Sequence, residues 1–250
     1  MTEAWKAHLQ VRREYLHHHA DVVLDRHPGI RELLETSLTL ETPIRPVVRR
    51  NDQIESQGIG AAELNRAIKR HMWSGSAWRF EAVVRDGVIL DNASNDARVR
   101  GFDFARYDTQ HNLAKLWSLC FGRRAFADGT SVWQIYLAAN PDQRDLAEKV
   151  QATGHAGEDL ESPREAPTVL GEVQFGNWLF AYRDLMKLLA ADGEIDVDLF
   201  VYVVADTSLA RYISSGTVTF EKTVQILRDF RSLVKVPTVV LGLDVELIQG

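Results

Sequence analysis

Glu172 and Gln174 stand two residues apart in an apolar stretch, TVLGEVQFGNW, that runs from Thr168 to Trp178. In an extended chain side chains at i and i+2 point the same way, so these two share a face while Val173 and Phe175 take the other. An unpaired carboxylate is costly to bury, by several kcal/mol, so Glu172 demands a charged partner. One such partner is a hard divalent cation. Mg2+ prefers oxygen ligands, keeps several waters and takes only one or two carboxylates, so Glu172 and one further acid would suffice. A cation held there would stabilise charge on a phosphate and lower the pKa of an attacking water. Sites of this kind usually place a lysine two residues beyond the carboxylate; here Gln174 holds that place, able to orient water but not to act as a base. The other reading is an ordinary salt bridge on Glu172 at a strand end, with Gln174 satisfied by backbone.

No competing chemistry is as well supported. The eight histidines include the run at 17–19 and His27, but no H-x-x-x-H pair with a carboxylate in a helical frame. No G-x-x-x-x-G-K-[ST] loop and no G-x-S-x-G elbow occur, and SQGIGAAE lacks the third glycine and preceding strand of a dinucleotide fingerprint. Cys120 is the one cysteine, which excludes an internal disulfide framework and a cysteine-built zinc site.

The net charge of −6 speaks against indiscriminate affinity for nucleic acid, but its distribution is uneven. Residues 45–124 carry 14 Lys and Arg against 9 Asp and Glu, whereas the remainder carries 15 against 26. A moderately basic middle is therefore flanked by acidic segments. It is read either as a solvated patchwork or as a basic groove acting over a Debye length of roughly 8 Å. No run of eighteen apolar residues exists, so no membrane span is expected. The polar, mixed-charge start has no apolar signal core, and a cytoplasmic protein is expected.

The elements that would position Glu172 and Gln174 follow from periodicity. TVLGEVQF reads as a strand and NWLFAYRDLMKLLAA as a helix with one apolar face. IDVDLFVYVVA reads as a buried strand, TSLARYISSG as a short helix with a glycine stop, TFEKTVQILRDFRSL as a helix, and VPTVVLGLDV as a last buried strand. Alternating strands and helices with continuous Val/Ile/Leu runs imply an α/β fold: a central mixed sheet flanked by helices. Upstream, residues 3–26 and GIRELLETSL are expected to be N-terminal helices. TPIRPVVRRNDQIESQGIG is expected to be mostly loop, AAELNRAIKRHMW a helix, and AWRFEAVVRDGVIL a hairpin turning at its DG. Asn112–Phe121 should be helical, TSVWQIYLA a strand, NPDQRDLAEKVQ helical, and ATGHAGEDLESPREAP turn-rich. The chain is read as one domain, with residues 1–60 as N-terminal helices and loop and 61–250 as the core.

GEVQFGNWLFAYRDLMKLL resembles the E-x-Q catalytic strand and following helix of the BglII/BstYI group of type II restriction endonucleases, within the PD-(D/E)XK nuclease fold. The resemblance continues through the hydrophobic strand, the SSG after a short helix, and the closing strand introduced by Val-Pro, covering about residues 168–246. It implies a Mg2+-dependent site-specific deoxyribonuclease of a restriction–modification system, acting as a homodimer on a short palindrome in double-stranded DNA. Glu172 would then be a metal ligand, the main-chain carbonyl of Val173 would complete the metal shell, and Gln174 would stand in the lysine's place. Cleavage would leave a 5′-phosphate and a 3′-hydroxyl.

The family pattern also places an aspartate on the preceding strand, about nine residues before the glutamate; here that position is Pro163. With PREAP as a turn two residues longer than usual, Glu161 falls closest and Asp159 shares its face. Asp103 takes the place instead if residues 110–165 are an insertion. Asn177 is expected at a base edge or phosphate, Ser214 and Ser215 where the family has a contacting serine, and Arg211 at a phosphate. The two serines also read as a helix C-terminus, and Arg211 as a plain surface charge. Arg45, Arg49, Arg50 and Lys69 suit further phosphate contacts. The N-terminal helices and the helix at 217–232 are the expected interface elements. Two other roles stay open: a repair or structure-specific nuclease of the same fold, and a DNA-binding module without catalysis.

Overall fold

The computed structural model describes residues 4–51, 54–75, 77–91, 101–153 and 164–248. The chain begins with β1 (Trp5–His17), α1 (Ala20–Arg26), α2 (Pro28–Leu38), β2 (Leu40–Ile44), β3 (Pro46–Asn51), β4 (Ile54–Ile59) and α3 (Ala61–Ser74). It continues through β5 (Arg79–Arg85), β6 (Val88–Leu90), β7 (Phe102–Arg106), α4 (Thr109–Phe121), α5 (Gly129–Ala139), a 3-10 turn and α6 (Arg144–Ala152). It ends with β8 (Val169–Gln174), α7 (Leu179–Asp192), β9 (Leu199–Ala205), α8 (Thr207–Ile213), α9 (Phe220–Asp229) and β10 (Thr238–Ile248). These elements form two compact units. The first comprises the chain up to Trp78, Gly171–Leu189 and everything from Leu199; the second comprises Arg79–Leu170 and Ala190–Asp198.

The first unit is built on a mixed sheet in which β2, β1, β10, β9 and β8 follow one another. β10 runs parallel to β9, Val239 opposite Val201, and antiparallel to β1, Leu9 opposite Val245. All seven residues of β9 are buried, as the continuous apolar run predicts for a strand covered on both faces. Helices flank the sheet: α1 and α2 pack on β1, and α9 on β9 and β10. The β8–α7–β9–α8–α9–β10 succession matches the expectation from the sequence, and the α/β class with it.

Residues 3–26 depart from the expected helix. Trp5–His17 is a strand pairing with β10 from Lys6 to His17, with a bulge between Val11 and Arg13, and helix begins only at Ala20. Ala7 and Leu9 are fully buried while their neighbours are not, a period of two that the scattered apolar residues farther along obscured. Pairing with a strand some 230 residues away decided the conformation, and no local pattern reports that. The expected loop over 42–60 likewise holds strands: β2 pairs with β1, and β3 with β4 as a separate two-stranded ribbon.

In the second unit β5 pairs antiparallel with both β6 and β7. The expected hairpin turns at Asp86–Gly87, both at positive φ, 50° and 83°, the backbone that a two-residue DG turn requires. α4 begins where Asp108 accepts the His111 N–H at 3.0 Å. TSVWQIYLA, expected as a strand, lies in helix α5. Its apolar residues serve a helical face, with Trp133 and Tyr136 three apart and both packed in a cluster with Leu113, Leu116, Cys120 and Val150. Gly129 opens that helix because any Cβ there would collide with the Cys120 carbonyl. Burial pushes the Cys120 thiol up to about 11, so it is a core residue without nucleophilic character at neutral pH. No helix among the described residues is long and apolar enough to cross a membrane.

Candidate active site

β8 is buried along its entire length, so neither Glu172 nor Gln174 faces solvent. In the second unit the strand's approach is pinned by Arg164, whose Nη1 donates to Thr168 Oγ1 at 2.8 Å and to Asp198 Oδ2 at 3.0 Å. The Thr168 N–H donates to the same carboxylate oxygen at 2.7 Å.

In the first unit Glu172 and Gln174 meet the buried face of α7. Lys187 Nζ donates to Glu172 Oε1, the side chains being 21% and 6% exposed. Gln174 Nε2 donates to Asp184 Oδ2 at 2.9 Å, and Gln174 Oε1 accepts the Gly176 N–H at 2.8 Å. Asp184 and Lys187 are three residues apart on one helix face, matching the two-residue spacing of their strand partners. Asp184 is fully buried. It also accepts from Tyr202 Oη at 3.0 Å, and from Arg183 Nε and Nη2 at 3.0 and 2.8 Å. Burial first, and the neighbouring Asp184 and Glu172 charges after it, push the Tyr202 hydroxyl well above its ordinary range, so it stays a donor. Burial alone would lower the Arg183 guanidinium; its bonds to Asp184, aided by the Glu172 charge, raise it instead.

Glu172 and Gln174 were expected to share one face of this strand, and both meet α7; Asp184, Lys187, Arg183 and Tyr202, which meet them or one another there, were not among the expected residues. One signal was available. Asp184 interrupts the apolar stripe Ala181–Leu185–Leu188 of α7, all buried, and a charged residue on such a stripe must meet a partner.

Asn177 and the 214–218 segment come together at the end of this site. Asn177 bridges Thr217, the Trp178 N–H donates to Gly216 O at 3.0 Å, and the Val218 N–H donates to Gly176 O at 3.0 Å. Asn177 Oδ1 accepts the Leu179 N–H at 3.0 Å and so opens α7. Ser214 ends α8 in extended conformation, its hydroxyl 2.9 Å from that of Thr217. Asn177, Arg211, Ser214 and Ser215 are all exposed. Asp159 and Glu161 lie outside the described residues. Asp103 is half-buried on β7, in the second unit. Arg45 is exposed just ahead of β3 and Lys69 half-buried on α3, while the side chains of Arg49 and Arg50 lie outside the described ones.

Among the described residues no three His, Cys, Asp or Glu side chains cluster as a ready metal cage. Glu172 nonetheless has the donor chemistry a hard cation takes, and it already holds a positive charge in the form of the Lys187 ammonium.

Comparison with known proteins bears on what such a site does. A solved structure described as restriction endonuclease BglII complexed with a DNA 16-mer superimposes with a TM-score of 0.50 at 13% identity, over 92% of this chain and 74% of that one. At that identity the likeness speaks to the fold: a mixed sheet flanked by helices. No curated protein sequence matches the chain. The profile of the restriction endonuclease BglII/BglIII family, however, matches residues 13–243. Spanning nearly the whole molecule, that match shows that the chain belongs to the BglII/BglIII restriction endonuclease family and is a type II, site-specific deoxyribonuclease.

Proposed function

We propose that this enzyme is a Mg2+-dependent endonuclease of the BglII/BstYI kind, an E-x-Q variant of the PD-(D/E)XK pattern, cutting a short palindrome in duplex DNA as a homodimer in the cytoplasm. The observation that carries the reading is Glu172: a carboxylate buried on a core strand against a cation, within a chain of this nuclease family. When bound, a divalent cation would stabilise charge on the scissile phosphate and lower the pKa of the attacking water. Glu172 would hold it, with the Val173 carbonyl and one further acid. Gln174, tied to Asp184 and to the Gly176 N–H, orients by hydrogen bonding and takes up no proton. In the net reaction a water oxygen bonds to phosphorus, the bond to the 3′ oxygen breaks, and a proton ends on that oxygen, leaving a 5′-phosphate and a 3′-hydroxyl.

The further acid is Asp159, Glu161 or Asp103. Single amide variants identify it: the variant at the true ligand loses cleavage as Glu172→Gln does, and the other two cut normally.

Asn177, Ser214, Ser215 and Arg211 are the proposed DNA contacts; all four are exposed, and Asn177 and Ser214 both meet Thr217. The homodimer reading is supported by α7, which exposes Leu179 and Met186, each more than half accessible, beside Trp178 and Phe180. Tyr182 of that helix meets Phe230 at the end of α9, ring centroids 5.8 Å apart. Exposed apolar side chains grouped on one helix suit a partner surface, and a two-fold enzyme matches a two-fold site.

The decisive experiment digests a sequenced, unmethylated phage genome with and without Mg2+, using wild type and Glu172→Ala. Discrete fragments that need Mg2+ and vanish in the variant are expected, and their ends give the recognition sequence. Absence of cutting by the wild type would overturn the catalytic reading and leave a DNA-binding module; cuts without a palindromic consensus would favour a repair or structure-specific role.

A further inference from the structure

Glu172 faces a cation whether or not a metal is present. Its partner Lys187 comes from α7 rather than from β8, so the positive charge that Gln174 cannot carry reaches the site from another element. Gln174 could not replace it, since both ends of its amide are engaged by Asp184 and Gly176. Removing one partner of the Glu172–Lys187 pair leaves the other uncompensated, at greater cost for the buried Glu172 than for the half-buried Lys187.

An ammonium and a divalent cation compete for one carboxylate. The divalent ion has the stronger attraction at contact, and displacing Lys187 takes a half-buried ammonium off its carboxylate, free to follow an anion that enters the site. A DNA phosphodiester at the site is such an anion. Accepting Glu172 as the metal ligand of the reading above, we propose that Lys187 is a resident counter-cation on Glu172, displaced by the metal and received by the DNA phosphate. Metal loading and DNA engagement are thereby coupled. Without DNA, Lys187 keeps metal affinity low and holds the carboxylate in place. With DNA, the same lysine neutralises the phosphate. Because the coupling is thermodynamic, metal and DNA raise each other's affinity by the same factor.

The full-length chain is tested as wild type, Lys187→Met, Lys187→Arg and Glu172→Gln. Mg2+ titrations of the DNA-free protein, followed by thermal melting, report metal binding independently of turnover. Lys187→Met is expected to melt below wild type without metal and to reach its Mg2+ half-point at a concentration roughly 5–150-fold lower, the usual span of a coupling between two ligands. On phage DNA its cleavage should fall by about 10²-fold, as when one donor to a developing charge is removed, while Lys187→Arg retains most of both properties. An unchanged Mg2+ half-point in Lys187→Met overturns the competition; a shifted half-point with wild-type cleavage overturns the transfer to phosphate. Glu172→Gln separates the two levels. If it still responds to Mg2+ as wild type does, Glu172 is not the ligand. If it loses that response while Lys187→Met behaves as wild type, only the lysine's role fails. Should Lys187→Met not fold, Lys187→Gln keeps a hydrogen bond to Glu172 without the charge and replaces it.

Discussion

Each unit buries a carboxylate cluster, and the two are neutralised differently. In the first, Glu172 is matched by Lys187 and Asp184 by Arg183, with Gln174 and Tyr202 adding hydrogen bonds. In the second, Asp91 is fully buried among hydroxyls and amides. Tyr107 Oη donates to Asp91 Oδ1 at 2.9 Å, and Tyr136 Oη donates to Gln143 Oε1 at 2.9 Å. Asp91 Oδ2 has no hydrogen-bond partner among the described residues; Arg79 Nε stands 3.8 Å away, and Arg79 Nη1 is engaged by Asp142 at 2.7 Å. Burial accordingly pushes the Asp91 carboxyl up, outweighing Tyr107 and Arg79. A carboxylate with its own cation can exchange that cation for another; one held mainly by hydroxyls serves packing. The first arrangement suits ion chemistry, the second suits a core.

The contrast can be broken by variants of graded effect. Glu172→Gln removes the charge while keeping the shape, and cleavage should fall by about 10³-fold, close to 4 kcal/mol in the barrier; single-turnover kinetics on phage DNA measures it. Asp184→Ala strips the partners from Gln174, Arg183 and Tyr202, and urea unfolding should show a loss of about 3 kcal/mol. A loss under 1 kcal/mol would mean that this cluster, too, is merely packed.

Arg13 provides a third case, again in the first unit. Its guanidinium bonds Asp206 and Glu221 and lies 4.4 Å from the Phe220 ring centroid. Burial alone would raise the Asp206 carboxyl, but the bonds from Arg13 and Thr207 hold it below its usual range. A depressed carboxyl stabilises the fold above the unfolded value, about pH 4, and that contribution is lost as pH falls through the folded value. Arg13→Met should therefore cost about 2 kcal/mol at pH 7 and flatten acid unfolding below pH 4, read by melting across pH.

Asp91→Asn should have the smallest effect, within about 1 kcal/mol, since the amide still accepts from Tyr107 and no longer carries a charge. The sign of its pH dependence is opposite. An acid whose folded value is raised binds more protons folded than unfolded, so wild type loses stability as pH rises above about 4 through the folded value, and the variant does not. A large destabilisation by Asp91→Asn would assign that carboxylate a charged role and erase the distinction between the clusters.

Much of the first unit is written locally. The runs LFVYVVA and TVVLGLDV are apolar enough to specify strands covered on both faces, and the intervening helices carry 3.6-residue periodicity, so the order of β8 through β10 is legible in the sequence alone. The DG turn and Asp108 cap are equally local, because they depend on the φ and hydrogen-bond preferences of single residues. Trp5–His17 and Gly129–Ala139 were not legible in this way. The first is a strand because β10 and β2 lie on either side of it; the second is a helix because Trp133 and Tyr136 pack with Leu116 and Cys120, and short apolar runs take whichever form their neighbours require.

The site divides along the same line. The sequence by itself determined that Glu172 and Gln174 share one face of a buried strand and that a charge there must be answered, since two-residue alternation and the cost of burying a carboxylate are properties of the chain alone. Which groups answer it was decided by tertiary structure. Lys187 and Asp184 are 15 and 10 residues beyond their partners, and only the docking of α7 against β8 brings a three-residue helical spacing onto a two-residue strand spacing.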